Sequence, residues 1–347
     1  MTRHTKVRTF HIAALCTCSL VGVNAGVLAR AQSAGFVPHP VPAGTLRIWG
    51  DTYMSSVVLA WEEHFRRYHP DVQFETQLMG TDTAMPGLYT GKADIALSGR
   101  ESNTTENDGF LHTLQYRPLR LRLMTGSLDV PGKSYAPVLF VHKDNPLDKL
   151  TLAQVDSVFG CGQPGQVAPA RTWGDLGLGG EWKDKPIHVY AFDLTSGTGT
   201  FFLHALQGDS KKMNWEIIHE YSDQRRPDGT SYEAGEQTMD ALQRDDYGLA
   251  VSSLRYTNGN VKALALAAAS QSQYVQASRE TLVSGAYPLT RMTYAFVNQP
   301  PGQPVSALVK EFLRFVYSDE GQKVVSESQG FLPLTRQDAA QQVILMH

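Results

Sequence analysis

The chain has 347 residues, a length that allows about two domains of ordinary size. Hydrophobic residues make up 42% of it and charged residues 19%, which is typical of a globular protein and excludes disordered, coiled-coil and collagen-like chains. The formal net charge of −3 argues against nucleic acid as a partner, because nucleic-acid-binding domains are usually strongly basic.

The first 31 residues have the three parts of a secretory signal peptide. Basic residues within 1–8 precede an apolar stretch from Ile12 to Leu28, which ends in the small-residue pattern Ala29-Arg30-Ala31. The apolar stretch is short for a membrane anchor and contains polar residues. We therefore predict a cleaved signal peptide at 1–31, a linker at 32–44, and a protein that is periplasmic or otherwise exported.

Removal of this segment changes the charge and the cysteine content of the protein. It takes away four basic residues and no acidic residue, so the net charge changes from −3 to −7. It also takes away Cys16 and Cys18, neither of which follows the small residue that a lipid-anchor site prefers. Cys161 then remains as a single cysteine, which excludes an intramolecular disulfide.

The sequence lacks the common catalytic and metal-binding motifs. It contains no Gly-x-x-x-x-Gly-Lys-Ser/Thr phosphate loop and no Gly-x-Ser-x-Gly nucleophile elbow. It also contains no set of cysteines and histidines with the spacing of a zinc site. We therefore expect no enzyme activity, no cofactor and no metal ion.

From residue 45 onward, predicted strands and helices alternate. Strands are predicted at 45–49, 72–77 and 94–97, with a helix at 55–68 and a shorter one between residues 80 and 91. In the longer helix, one face carries Val57, Trp61, Phe65 and Tyr68. This alternation is typical of a mostly parallel sheet covered by helices.

The same order of elements starts again after residue 135. Further strands are predicted at 136–142, 187–191, 247–252 and 287–297, and further helices at 151–159, 195–206, 305–317 and just after Ser318. The strand at 287–297 is long enough to bridge two lobes. We predict an α/β protein in which 45–137 plus 258–347 form one lobe and 138–257 the other.

Three predicted strand-to-helix turns carry glycine or small hydroxyl residues. They are Gly50-Asp51-Thr52, the segment 80–83 and the segment 195–200. The first amides of a helix have no internal partner and carry partial positive charge, so turns that meet in one cleft can bind an oxyanion. Each turn alone could simply cap its own helix. Three such turns in a two-lobed chain favour a ligand site.

Four segments of the chain resemble those of one known family. Gly91 to Arg100 is similar to a G-x-A-D-I-small-x-S-x-R turn, and the other segments are 44–72, 145–177 and 287–334. In this order they resemble the periplasmic phosphate-binding proteins of ABC transporters, a branch of the type II solute-binding proteins. The resemblance implies a two-lobed type II periplasmic-binding-protein fold. In that fold each lobe is a mostly parallel sheet flanked by helices, and two crossing hinge strands join the lobes.

The resemblance also implies a mode of action. The lobes of a monomer would close on a small oxyanion, phosphate in the first place, and present it to an ABC permease, without nucleic acid as a partner. By position, the ligand-binding residues would be Asp51, Thr52, Tyr53, Thr81, Thr83, Ser98, Gly99, Arg100, Thr195, Ser196, Gly197 and Thr198.

One position departs from the family pattern. Family members normally carry an arginine four residues before the serine of the Ser-Gly-Thr turn, where it contacts the anion. This chain has Phe192 there, followed by Asp193. One interpretation keeps an oxyanion (phosphate, molybdate or tungstate), held by hydroxyls and helix N-termini, with Arg100 in compensation. The other interpretations are a changed ligand, such as a small organic solute that contacts Phe192 and Tyr53, and an exported sensor or interaction protein without transport function.

Overall fold

The computed structural model describes residues 36–128, 135–161, 168–193, 196–207, 213–328 and 330–347. The predicted signal peptide at 1–31, with Cys16 and Cys18, and the predicted ligand residue Thr195 lie outside these ranges. No helix within these ranges is long and apolar enough to cross a lipid bilayer.

Strands and helices alternate along most of the described chain, as predicted. The strands are β1 (Gly44–Gly50), β2 (Val72–Gln77), β3 (Ile95–Ser98), β4 (Leu119–Thr125), β5 (Val138–His142), β6 (Lys149–Thr151), β7 (His188–Phe192), β8 (Ile218–Tyr221), β9 (Gln224–Arg225), β10 (Ser231–Tyr232), β11 (Gly248–Ser252), β12 (Val261–Ala263), β13 (Ala265–Ala267) and β14 (Met292–Val297). The helices are α1 (Ser55–Arg66), α2 (Thr81–Tyr89), α3 (Thr104–Leu114), α4 (Leu152–Phe159), α5 (Gly197–Gln207), α6 (Ala234–Leu242), α7 (Arg279–Val283), α8 (Ala307–Val316), α9 (Asp319–Glu327) and α10 (Arg336–Leu345).

The first lobe is built on a sheet with the strand order β2-β1-β3-β14-β4. β1 pairs in parallel with β2 and β3, whereas β14, which follows the second lobe in the chain, pairs antiparallel with β3 and β4. Three residues of the predicted apolar face, Val57, Trp61 and Phe65, are at most 1% exposed. The fourth, Tyr68, follows the end of α1 and is half-buried. Burial of each of the first three side chains stabilises the lobe by about 2 kcal/mol. Trp61 Nε1 also donates to the Gly321 carbonyl in α9 (2.8 Å).

The second lobe is built on a sheet with the strand order β12-β5-β11-β7-β8. β7 pairs in parallel with β11 and β8, and β5 pairs antiparallel with β11 and β12. Helix α4 begins after Thr151, as predicted, and the Thr151 hydroxyl accepts a hydrogen bond from the Gln154 amide (3.1 Å). Phe202 of α5 is fully buried and packs edge-on against Phe159 of α4 (5.1 Å between ring centres). Phe202 also packs edge-on against Phe192 at the end of β7 (6.5 Å between ring centres), so α5 is joined to both α4 and β7.

Two segments of the chain connect the lobes, the first between β4 and β5 and the second between α7 and β14. They meet where the Gly126 amide donates to the Arg291 carbonyl (2.6 Å). The strand predicted at 287–297 begins only at Met292, because the preceding residues form a turn in which the Thr290 amide donates to the Tyr287 carbonyl (3.0 Å).

The chain stays in the second lobe beyond the predicted boundary at residue 258. β12 pairs with β5, and Leu264, Leu282 and Leu289 belong to the same buried core as β5 and β11. The next strand of the first sheet is β14. We therefore propose a boundary near residue 290, where the second connecting segment reaches the first lobe.

Candidate functional site

Three turns of the first lobe lie together at the carboxyl ends of β1, β2 and β3. The Asp51 amide donates to the Leu97 carbonyl (3.0 Å) and the Gly80 amide donates to the Gly50 carbonyl (2.9 Å). The Asp51 carboxylate then accepts a hydrogen bond from the Tyr53 amide (2.9 Å) and caps the short helical turn after β1. Backbone hydrogen bonds therefore fix the turns at the edge of the sheet where α/β proteins usually bind ligands.

The start of α5 presents unpaired backbone donors from the second lobe. Ser196 Oγ accepts a hydrogen bond from the Gly199 amide (3.1 Å), which is the usual role of a capping serine. The amides of Gly197 and Thr198 have no acceptor among the residues that the structure describes. Because Gly197 has no side chain, an anion can approach these amides, and the helix dipole favours negative charge at this end.

Arg291 lies beside this helix start and contacts both lobes. It is only 4% exposed. Its Nε donates to the Gly99 carbonyl of the first lobe (2.6 Å), and its Nη1 donates to Thr198 Oγ1 of the second (2.6 Å). A Cβ atom added to Gly197 would lie 3.3 Å from Arg291 Nη2. Burial lowers the pKa of Arg291 to about 10, so the guanidinium is still charged at neutral pH.

Arg100, the arginine that the sequence favoured, is engaged by carboxylates of its own lobe. Its Nη1 and Nη2 donate to the two carboxylate oxygens of Glu106 (2.8 and 2.9 Å), and Nη2 also donates to Asp82 Oδ1 (3.0 Å). Burial alone would lower the pKa of Arg100, but the hydrogen bonds and charges of Glu106 and Asp82 raise it overall. The charge of Arg100 is therefore compensated before any ligand binds.

These groups line one cleft of about 1020 Å³. Eight of the predicted residues line it: Asp51, Thr52, Tyr53, Thr81, Arg100, Ser196, Gly197 and Thr198. The sequence did not identify several other lining residues, among them Asn103, Tyr135, Ser222, Asp223, Glu233, Tyr256 and Arg291. In the described ranges, no group of three or more histidine, cysteine or acidic side chains is arranged to hold a metal ion.

Three predicted ligand residues do not line the cleft. Ser98 is 2% exposed, and its hydroxyl donates to the Arg100 carbonyl (2.7 Å). The Gly99 carbonyl accepts from Arg291. The Thr83 hydroxyl donates to the Gly80 carbonyl (2.8 Å) in the first turn of α2. A hydroxyl has a single hydrogen to donate, so Ser98 and Thr83 use theirs to close their own turns.

Carboxylates also line the cleft. Asp51, Asp223 and Glu233 are among the lining residues. Asp223 Oδ1 accepts a hydrogen bond from the Ala234 amide at the start of α6 (2.8 Å). Burial, together with the charge of Asp223, raises the pKa of Glu233. A carboxylate repels a fully ionised anion but accepts a hydrogen bond from a protonated one, so the cleft suits an oxyanion that keeps a proton.

Phe192, at the position where an arginine was expected, belongs to the core of the second lobe. It is 2% exposed, and its ring packs edge-on against Tyr135 and Phe202 (6.1 and 6.5 Å between ring centres). The guanidinium that contacts the Ser-Gly-Thr turn comes instead from Arg291, on the second connecting segment. The available signal in the sequence was a lone arginine within a mostly apolar stretch, Leu289 to Val297.

Comparisons with known proteins agree with this architecture. The family model described as PBP superfamily domain matches residues 37–320. The phosphate-binding protein PstS of Pseudomonas aeruginosa is 31% identical over 332 residues, which cover 94% of this chain and 93% of that protein.

Solved structures show the same fold. PstS from Borrelia burgdorferi matches with a TM-score of 0.58 at 14% identity and covers 84% of this chain and 99% of its own. An ABC-type phosphate transport receptor from Vibrio cholerae matches with a TM-score of 0.55 at 16% identity and covers 83% of this chain and 100% of its own. The two-lobed α/β fold is thereby confirmed. With the family model and the Pseudomonas relative, it follows that the chain belongs to the PBP superfamily and, within it, to the family of phosphate-binding proteins.

Proposed function

We propose that the protein binds inorganic phosphate in the cleft between its lobes and delivers it to the permease of an ABC transporter. The observation that carries the proposal is the start of α5, where the amides of Gly197 and Thr198 have no acceptor in the described chain and face a cleft. The relative from Pseudomonas aeruginosa is named a phosphate-binding protein. Amides at a helix N-terminus are well suited to phosphate oxygens.

Residues of both lobes would share the ligand. Ser196, Gly197 and Thr198 would donate hydrogen bonds from the second lobe, and Thr81 from the first. The Thr52 hydroxyl already donates to the Leu78 carbonyl (3.1 Å), so Thr52 would contribute only its backbone amide. Thr198 Oγ1 accepts a hydrogen bond from Arg291, so its own hydrogen is available for a phosphate oxygen. Contacts from both lobes to one ligand would favour the closed arrangement over an open one.

The carboxylates of the cleft would set the choice of anion. At neutral pH phosphate still carries a proton that it can donate to Asp51 or Glu233, both of which line the cleft. Sulfate carries no proton at that pH, so the same carboxylate would face an unprotonated oxygen and repel it. A site built around a hydrogen bond rejects an analogue that cannot make it.

The protein would act outside the cytoplasm. The segment 1–31 would direct the chain out of the cytoplasm and be removed, and the mature protein would act as a periplasmic monomer. Its role as a substrate-binding transport protein requires no catalytic step.

Isothermal titration calorimetry with phosphate, sulfate, molybdate and tungstate tests the proposal. We expect phosphate to bind one to one with a Kd of about 1 μM or tighter. We expect sulfate to bind at least about a hundredfold more weakly, the effect of one buried hydrogen bond replaced by repulsion. The absence of a response to any of the four anions would refute oxyanion binding, and tighter binding of molybdate or tungstate would contradict the choice of phosphate.

A further inference from the structure

We propose that Arg291 is the cationic ligand of the bound phosphate and replaces the arginine that position 192 lacks, an inference that rests on the proposed phosphate binding. Arg291 is 96% buried yet lines the cleft. It contacts the Ser-Gly-Thr turn directly, since its Nη1 donates to Thr198 Oγ1 (2.6 Å) and its Nη2 faces Gly197. The family pattern places the positive charge at position 192, the end of β7 in the second lobe. In this chain Arg291, on a segment that connects the lobes, carries it instead.

The hydrogen-bond inventory of Arg291 leaves donors for a ligand. A guanidinium has five N–H groups. In the described chain the side chain makes two hydrogen bonds, from Nε to the Gly99 carbonyl and from Nη1 to Thr198. Three N–H groups, including both of Nη2, have no acceptor among the described residues. They lie next to the free amides of α5, so one phosphate can accept from both.

Arg291 also has no ion-pair partner at contact distance among the described residues, although the charge of Asp51 opposes the lowering of its pKa by burial. No carboxylate in the described ranges lies within 4.0 Å of its guanidinium, whereas Arg100 is paired with both Glu106 and Asp82. A buried charge without a counter-charge is unfavourable. A bound phosphate would supply that counter-charge, which makes the occupied site electrostatically better balanced than the empty one.

The backbone around Arg291 holds the side chain in place. Its carbonyl accepts from the Gly126 amide of the other connecting segment (2.6 Å), while its Nε is bound to Gly99 of the first lobe. Arg291 thus touches both connecting segments and both lobes. A guanidinium fixed in this way loses little conformational entropy when it binds an anion.

Phosphate titrations of two substituted proteins test the inference. Arg291→Gln removes the charge at nearly constant size, and we expect phosphate affinity about a hundredfold weaker. Arg291→Lys keeps the charge without the planar fork, and we expect a loss of about tenfold. The matched control is Arg122→Gln in β4, whose arginine pairs with Asp338 (2.9 Å) and does not line the cleft; its affinity should stay within about twofold of wild type.

The outcomes separate this inference from the proposed function. Wild-type protein that binds no phosphate overturns the function and the inference together. Wild-type protein that binds phosphate, with Arg291→Gln folded and equally tight, overturns only the role of Arg291. The wild-type protein gives a second readout if Arg291→Gln does not fold. With ¹⁵N-labelled arginine, phosphate should shift the Arg291 Nε–H resonance and leave that of Arg122 in place, and an unmoved Arg291 resonance would refute the contact.

Discussion

The substitution Gly197→Leu should weaken phosphate binding by about a thousandfold without lowering the stability of the fold. The new side chain would cover the free amides at the start of α5, and each lost hydrogen bond to a charged oxygen costs about 2 kcal/mol. Its Cβ would also lie 3.3 Å from Arg291 Nη2. Stability should change little, because Gly197 is exposed and the helix propensity gained with leucine, about 1 kcal/mol, offsets the close contact with Arg291.

Calorimetry gives the affinity in this experiment, and thermal unfolding without ligand gives the stability. Gly259→Leu is the matched control, since Gly259 is exposed and a Cβ there would meet no atom within 4 Å. The control should bind phosphate like the wild type. Unchanged affinity in Gly197→Leu would contradict the placement of the anion at α5.

The substitution Gly50→Ala should lower the free energy of unfolding by about 3 kcal/mol. Gly50 has a φ of +146°, a region that side-chain-bearing residues rarely adopt, and a Cβ there would lie 2.0 Å from the Leu97 carbonyl oxygen. The Leu97 carbonyl in β3 cannot shift away without breaking the hydrogen bond that it accepts from the Asp51 amide. Phosphate affinity should fall as well, because the first-lobe turns would lose their relative positions.

Urea denaturation measures this loss of stability. Gly285→Ala is its control, because Gly285 also has a positive φ (+70°) but a Cβ there would meet nothing within 4 Å. The control should lose only about 1 kcal/mol, the cost of the left-handed conformation itself. Equal losses in the two variants would show that the close approach to Leu97 has no energetic effect.

Only some of the elements with a strong local pattern were predicted from the sequence, since the alternating strand β4 and the amphipathic helix α6 were not. The strand at 72–77 has the predicted bounds, and the helix that begins at Ser55 buries the predicted face. Helices α3 and α10 were missed because they have almost no apolar face: α3 buries only Phe110, and α10 buries only Ala339 and Gln342. The structure of α3 depends more on its capping box between Asn103 and Glu106.

The candidate site was predictable only in part. Residues in the strand-to-helix turns were found because glycine and hydroxyl residues mark such turns locally. Arg291 was not assigned to the site because its partners are distant in sequence: Thr198 precedes it by 93 positions and Gly99 by 192. The contact exists only because the chain crosses back from the second lobe to the first. Phe192 showed that the expected arginine was absent from position 192. It gave no indication that Arg291 lies in its place.

The negative charge of the chain does not oppose anion binding at this site. The net charge of −3, or −7 without residues 1–31, is an average over the whole chain. The cleft combines the free amides of α5 with the guanidinium of Arg291. Since surface charges beyond about 8 Å are largely screened at physiological salt, these local donors decide the interaction.

A crystal structure of the protein soaked in phosphate tests the central claim most directly. We predict one phosphate within hydrogen-bond distance of the Gly197 amide and of the Arg291 guanidinium, with Thr198 as a further donor. The absence of phosphate at the start of α5 would contradict the proposed binding site. So would phosphate found only elsewhere, for example in the neighbouring cavity lined by Phe201 and Trp215.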